Sequence, residues 1–480
     1  MRFLSFLVFG FFAAIILSTT ACKKEQLLTS GGELKFSTDT VAFDTVFTSL
    51  GSFTVGLKIF NPQNQKINIS SVRLEKGTAS YFHLNVNGIP GNNVTDLEVA
   101  AHDSIYVFAT VKINPNDSLT PFIVEDRLIA TLNGNDYSIQ VFAYGQNAYY
   151  LRDSVIDHDD TWKTDKPYVI LHSAAVDRGV TLTIPAGCRI YMHADSRLLV
   201  LGKLLAQGTK QDSIIFQGDR LDRAYFGYQG YPGEWGGIYF DSSSTGSKMD
   251  WCVLKNCGNS SGGGLPFALE VFGKPGSPDL QLTMSHTIIE NAIGYGILSF
   301  GGRINADNCL VHDCGAQALA IFQGGTYTFT NCDFLNYFPK KVSHSDEPTV
   351  AVLNYFPVNN TAVVGDPLDI TFTNCLIYGS LDNEFFSDKV DDVTFKATYK
   401  NCMIKTENGV PVYTAPHNVT LQDSLVTQDP KFVDYEKWNY RLKQESPLID
   451  KGINNFTTDL DDVAHTINGI TDVGCYEFKP

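Results

Sequence analysis

The second half of the chain repeats one short strand-like phrase six times, with a small residue, usually cysteine, at a fixed place. Aligned on Cys252, Thr287, Cys309, Cys332, Cys375 and Cys402, the phrases read MDWCVLKN, MSHTIIEN, ADNCLVHD, FTNCDFLN, FTNCLIYG and YKNCMIKT. Two residues on, every copy is apolar: Leu254, Ile289, Val311, Phe334, Ile377 and Ile404. Side chains two apart share one face of a strand, so both columns point into a common interior. Four residues after the small column come Asn256, Asn291, Asp313, Asn336, Gly379 and Thr406, most of which accept left-handed or tight-turn backbone. The copies are 35, 22, 23, 43 and 27 residues apart. The shortest interval is one coil, and the longer ones are that coil carrying a loop. A helical repeat would show apolar residues at i, i+3, i+4 and i+7, whereas these segments alternate with period two. The columns predict an all-β chain whose core is a single-stranded right-handed parallel β-helix.

The phrases VTLTIPAGCRIYMHADSRLLVLGKLLAQGT (180–209), IIFQGDRL and PGEWGGIYF, followed by the repeats, resemble the pectin-lyase-like β-helix proteins and, within them, surface lipoproteins of Gram-negative bacteria. The tail phrases DPKF, NYRL, SPLIDKG and DVGCYE resemble the end of β-helix surface proteins that finish in a D-I-G-A-Y-E-like phrase. The resemblance covers roughly residues 150 to 480 and implies a fold more than an activity.

Arg2, the apolar run from Phe3 to Leu17 and the small residues before Cys22 read as a lipoprotein signal over 1–21, with Cys22 as the lipidated residue. Thr19 stands where such signals usually carry leucine. Acyl chains contribute about 0.8 kcal/mol per buried methylene, so an acylated Cys22 makes the membrane a partner and places the protein in the cell envelope, at the outer membrane. Residues 22–32 read as a tether. From 33 to 148, short alternating runs such as TVGLKIFN, INISSVRL and SIYVFATVKI predict an antiparallel β-sandwich, and GSFTVGLKIFNPQNQKINISSV resembles immunoglobulin-like modules. The β-helix is expected over 149–427, with 428–480 closing its exposed end.

A formal charge of −16 excludes nucleic acid as a partner, since phosphate recognition needs a concentrated basic surface. The nine cysteines after Cys22 lie in an exported chain that permits disulfides. Aligned side chains on successive coils run alongside one another, however, so the column reads as a buried thiol stack. A linear stack does not converge tetrahedrally, and no metal site is read from it. No cofactor is assigned; calcium is left open.

The resemblance also implies constellations to look for. Polygalacturonase-like members pair carboxylates in N-T-D, D-D, G-H-G and R-I-K phrases, and calcium lyases use W-I-D-H and R-x-P-x-x-R. This chain has isolated Asp-Asp pairs and VIDH at 155–158 without the rest, so no catalytic residue is assigned. The stronger lead is the insertion DRLDRAYFGYQGYPGEW (219–235). There Tyr225, Tyr228, Tyr231 and Trp235 would stack on sugar rings and Arg220 and Arg223 would pair with hydroxyls. The preference of tryptophan for burial favours reading Trp235 as a core anchor at a strand start. The expected function is binding of glycan or another surface component through the β-helix of a lipid-anchored envelope protein; the alternatives are a polysaccharide lyase or glycoside hydrolase and a purely architectural role.

Overall fold

A computed structural model describes residues 26–479, apart from 222–229, 260, 262, 338–346, 359–360, 392, 407–417, 423–424, 427, 456 and 468. Cys22 and the expected leader lie outside the described residues. The chain forms two compact units, 1–147 and 148–480. Among the described residues no helix is long and apolar enough to cross a membrane.

The first unit is a sandwich of two five-stranded sheets. One runs, in spatial order, Lys35–Phe36, Val55–Phe60, Ser104–Val111, Phe82–Val86 and Ile89–Pro90. The other runs Thr40–Phe47, Asn135–Gln146, Phe122–Leu132, Ile67–Leu74 and Asn93–Val99. Alternation decides which side faces in: Val55, Leu57 and Ile59 are buried, and Gly56 and Phe60 between and after them are exposed. One pairing departs from the antiparallel expectation, Thr40–Phe47 running parallel to Asn135–Gln146. Nearly the whole unit separates these two strands in sequence, so no hairpin forces them to oppose.

The second unit is a parallel β-helix with three sheets. Sheet 1 is built from strands such as Lys203–Gln207, Ser247–Asp250, Leu282–Ser285, Arg303–Asp307, Gly325–Thr330, Leu368–Thr373 and Phe395–Lys400. Sheet 2 carries Ile214–Gly218, Cys252–Lys255, Ile288–Ala292, Leu310–Cys314, Asp333–Asn336, Leu376–Gly379 and Met403–Ile404. Sheet 3 carries Gly237–Phe240, Phe267–Phe272, Tyr295–Phe300, Leu319–Phe322, Val350–Leu353 and Phe385–Asp388. In the first coils one long strand serves both of the last two: Arg189–Val200 pairs with Ile214–Gly218 at its start and with Gly237–Phe240 at its end. The columns legible in the sequence are columns in sheet 2, where Leu254, Ile289, Val311, Phe334, Ile377 and Ile404 pair in succession. The cysteines of the repeat are buried, and none of the nine described cysteines is joined in a disulfide.

The residue just before each small position turns the chain from sheet 1 into sheet 2. Trp251, His286, Asn308, Asn331, Asn374 and Asn401 all have φ between 44 and 53°. Asparagine tolerates this left-handed backbone better than most residues, and it holds four of the six places.

Those corner residues also bind the tail. The described residues of 451–460 run lengthwise along the coils, and five of the six corners meet them in turn. The Asn401 amide donates to Lys451 O (2.8 Å), Asn374 to Ile453 O (2.8 Å) and Asn308 to Thr457 Oγ1 (3.2 Å). Asn331 bonds Asn455, His286 Nε2 lies 3.0 Å from Thr458 O, and the Lys210 ammonium bonds Leu460 O. From Asn401 to His286 is four coil steps of about 4.8 Å, roughly 19 Å, and seven residues at full extension reach roughly 23 Å, enough to pass from Lys451 to Thr458 along the corners with little slack. Beside it, Phe432, Tyr440, Leu442, Leu448 and Val473 pack on the outer side of sheet 2 against Leu310, Leu335, Leu376 and Met403. The described contacts of this tail are with the flank of the coils, where the sequence suggested an end cover. Buried carboxylates in the tail accept from backbone N–H groups: Asp472 of the DVGCYE phrase from Asp450 N and Phe478 N (2.7 Å each), and Asp459 from Val463 N (2.8 Å) and Glu477 N (2.9 Å).

Candidate functional site

Two ionisable groupings stand on the outside of the β-helix, and their burial separates a structural role from an open one. On sheet 2, Lys255, Glu290 and His312 are register neighbours on successive coils. Lys255 Nζ lies 3.1 Å from Glu290, and His312 Nδ1 donates to Asp313 at 2.9 Å with Nε2 3.7 Å from Glu290. Burial alone would pull the His312 pKa down, yet its bonds to Asp313 and Glu290 raise it to about 9. Burial likewise pushes Glu290 up, and the His312 and Lys255 charges overcome this to bring it to about 2. The tail closes over the group: Tyr440 OH donates to Asp313 (3.2 Å) and Trp438 meets the His312 ring edge to face. His312 is 1% exposed, so this is a charged lock between coils and tail.

Sheet 3 presents the open group. Along its outer side run Leu199, Tyr239, Glu270, Leu298, Ala320, Ala351 and Phe386, one per coil. Glu270 is the one charge in that row. Its upper part is covered by the hairpin Tyr355–Val358/Thr361–Val364, whose Phe356 sits 5.1 Å edge-on to both Phe300 and Phe322. Below the hairpin, Tyr239, Glu270 and Tyr295 are half-buried and Phe272 is exposed. Arg197 enters from the neighbouring row and holds its guanidinium over the Phe267 ring, 5.2 Å from the centroid.

Two glycines make that placement. A Cβ at Gly236 would stand 2.5 Å from Arg197 Cγ, and one at Gly237, where φ is +97°, would collide with the Phe267 carbonyl at 2.4 Å. The phrase WGG therefore clears a channel for the arginine. Burial pushes the Glu270 carboxyl up to about 7, and the Arg197 charge offsets only part of it. The result is a carboxyl poised near neutrality, a cation on an aromatic face and two half-buried phenols along the outer side of one sheet.

The residues singled out in the sequence fall differently. Trp235 is wholly buried in the β-helix core, its Nε1 donating to Lys255 O at 2.7 Å. It offers no face to a ligand, because the glycines after it turn the chain straight into sheet 3 and draw the indole inside. Tyr231 is 44% exposed and Arg220 is exposed. Arg223, Tyr225 and Tyr228 lie outside the described residues. Arg197, Tyr239, Phe267, Glu270 and Tyr295 carried no sequence signal of their own; the Gly-Gly after Trp235 was the one mark of a close approach. Among the described residues no group of three or more His, Cys, Asp or Glu side chains is arranged to hold a metal.

No family model matches the chain, and no curated protein matches it. Among solved structures, a family 123 glycoside hydrolase from Clostridium perfringens is similar over 24% of this chain and 26% of its own length, at 10% identity and a TM-score of 0.17. The catalytic domain of a GH87 α-1,3-glucanase in complex with nigerose is similar over 82% of this chain and 91% of its own, at 9% identity and a TM-score of 0.18. Such scores carry no weight for function.

Proposed function

We propose that this is a cell-envelope protein, anchored through lipid on Cys22, that binds polysaccharide along the outer side of sheet 3. The observation that carries the reading is the open cluster of Arg197 on Phe267 with Glu270, Tyr239 and Tyr295. Aromatic faces take the C–H side of a sugar ring, and planar charged groups take its hydroxyls. An extended row of coils suits an extended chain.

One observation favours the second reading, a lyase or hydrolase: a carboxyl pushed up to about 7 is a general acid at neutral pH. A hydrolase needs a second carboxyl across the bond, and no motif supplies it.

A single experiment addresses both. The soluble chain from Lys23 is incubated with uronate and neutral polysaccharides while retention, unsaturated product and new reducing ends are followed. Retention without turnover, weakened at least tenfold in Arg197→Ala with folding intact, is the expected result. Turnover that is lost in Glu270→Gln would establish the enzyme instead.

A further inference from the structure

The sandwich carries an aromatic surface of its own. In the sheet whose central strand is Ser104–Val111, Tyr106 and Phe108 point outward and are 48% and 43% exposed. Their rings are parallel to within 5°, with centroids 6.0 Å apart. Across the strand on one side, Lys58 pairs with Tyr106 and Gly56 with Phe108. The Lys58 ammonium stands 4.6 Å over the Tyr106 ring and occupies that face. Phe108 leans toward Gly56, where a Cβ would already touch it at 3.4 Å. The opposite ring faces are turned toward Phe82–Val86, which contributes His83 and Asn85 to the same outer surface. Asn85 is the cross-strand neighbour of Phe108, and its side-chain oxygen has no hydrogen-bond partner among the described residues.

We propose that this face is a second, separate polysaccharide site, taking the flat C–H sides of neutral pyranose rings against Tyr106 and Phe108, with hydroxyls paired by His83 and Lys58. Two parallel exposed rings on adjacent same-side positions form a rigid platform that needs no reordering to bind. A polar rim within reach of the rings is the chemistry of a hydroxylated ligand. An anionic membrane surface is drawn by clusters of Lys and Arg, and here one lysine stands in a chain of formal charge −16.

The test is native affinity electrophoresis of the soluble chain from Lys23 in gels containing hydroxyethylcellulose, xylan or dextran. The wild type is slowed in at least one gel, and the Tyr106→Ala/Phe108→Ala variant loses at least tenfold in affinity with unchanged ellipticity and melting temperature. The exposed rings lie outside the core, so this variant retains its fold. Equal retardation of variant and wild type, or no retardation of the wild type in any gel, overturns the proposal. So does wild-type self-association, or cosedimentation with phosphatidylglycerol vesicles, that the double variant removes. Retardation lost in Arg197→Ala but kept in the double variant overturns this site and leaves the one on sheet 3 standing; the reverse pattern does the opposite.

Discussion

Asn374 and Ile453 bond in both directions: the asparagine amide donates to Ile453 O at 2.8 Å, and its Oδ1 accepts from Ile453 N at 2.7 Å. Asn374 also sits at φ 53°, so alanine there would add backbone strain to the lost bonds. Asn374→Gly isolates the bonds, because glycine accepts the dihedral. Losing these two half-buried bonds and the 3.3 Å bond from the same amide to Asn331, with the tail's backbone groups left unpaired, costs about 2–3 kcal/mol. Urea unfolding of the two variants reads this, and Asn374→Ala should be the less stable by about 1 kcal/mol more.

The His312 group sets a pH window. Its pKa rises from 6.5 to about 9 on folding, so its stabilisation is complete below 6.5 and is lost as pH climbs through 9. Glu290 falls from 4.5 to about 2, so its share is present above 4.5 and lost as pH drops through 2. Each shift corresponds to about 3 kcal/mol, drawn from the same contacts and therefore not additive. In His312→Leu, stability measured from pH 6 to 10 should lose its decline on the alkaline side, at a cost of about 3–5 kcal/mol near neutrality.

Glu270 acts with the opposite slope to Glu290. Its folded pKa of about 7 lies above its ordinary 4.5, so the folded state holds the proton more tightly and stability falls as pH rises from 4.5 through 7. Glu270→Gln should remove about 2–3 kcal/mol of that decline, read as the difference between the two proteins' unfolding curves at pH 4.5 and pH 8.

Trp235→Ala empties a wholly buried site in the coil core and should cost about 3–5 kcal/mol. Trp235→Phe keeps most of the volume but leaves Lys255 O without its indole donor, at about 1–3 kcal/mol. If either variant alters glycan retention while its melting temperature stays unchanged, the core assignment fails.

The nine cysteines from Cys188 to Cys475 are all buried and unbridged. A thiol reagent should find almost none in the native chain from Lys23 and nine after denaturation without reductant.

The coils were legible because one strand stacked on itself leaves the same small and apolar residues at the same places, and Cys309 over Cys332 is visible in the letters. The corner was in plain view as well: the asparagine before four of the five cysteines stands in the quoted phrases, but its function depends on atoms of a segment some 50 to 150 residues away. Hydrogen bonds to a carbonyl leave no signature in the residue that owns the carbonyl. Trp235 was read in two ways, and the inside reading prevailed because Gly236 and Gly237 clear space for Arg197 and not for an indole. The Arg197 and Phe267 pairing was invisible, since 70 residues of intervening coil bring the two side by side.

A stack in which each layer touches only its neighbours is free to peel from an end, one layer after another. Here the lengthwise thread at 451–460 ties layers from Lys210 to Asn401 to a single strand. Between those two residues no layer separates from the next without also breaking a seam shared along the stack. Heat should therefore melt the layers from Lys210 to Asn401 as one event rather than by gradual fraying, with their amides sharing one opening free energy in native-state hydrogen exchange.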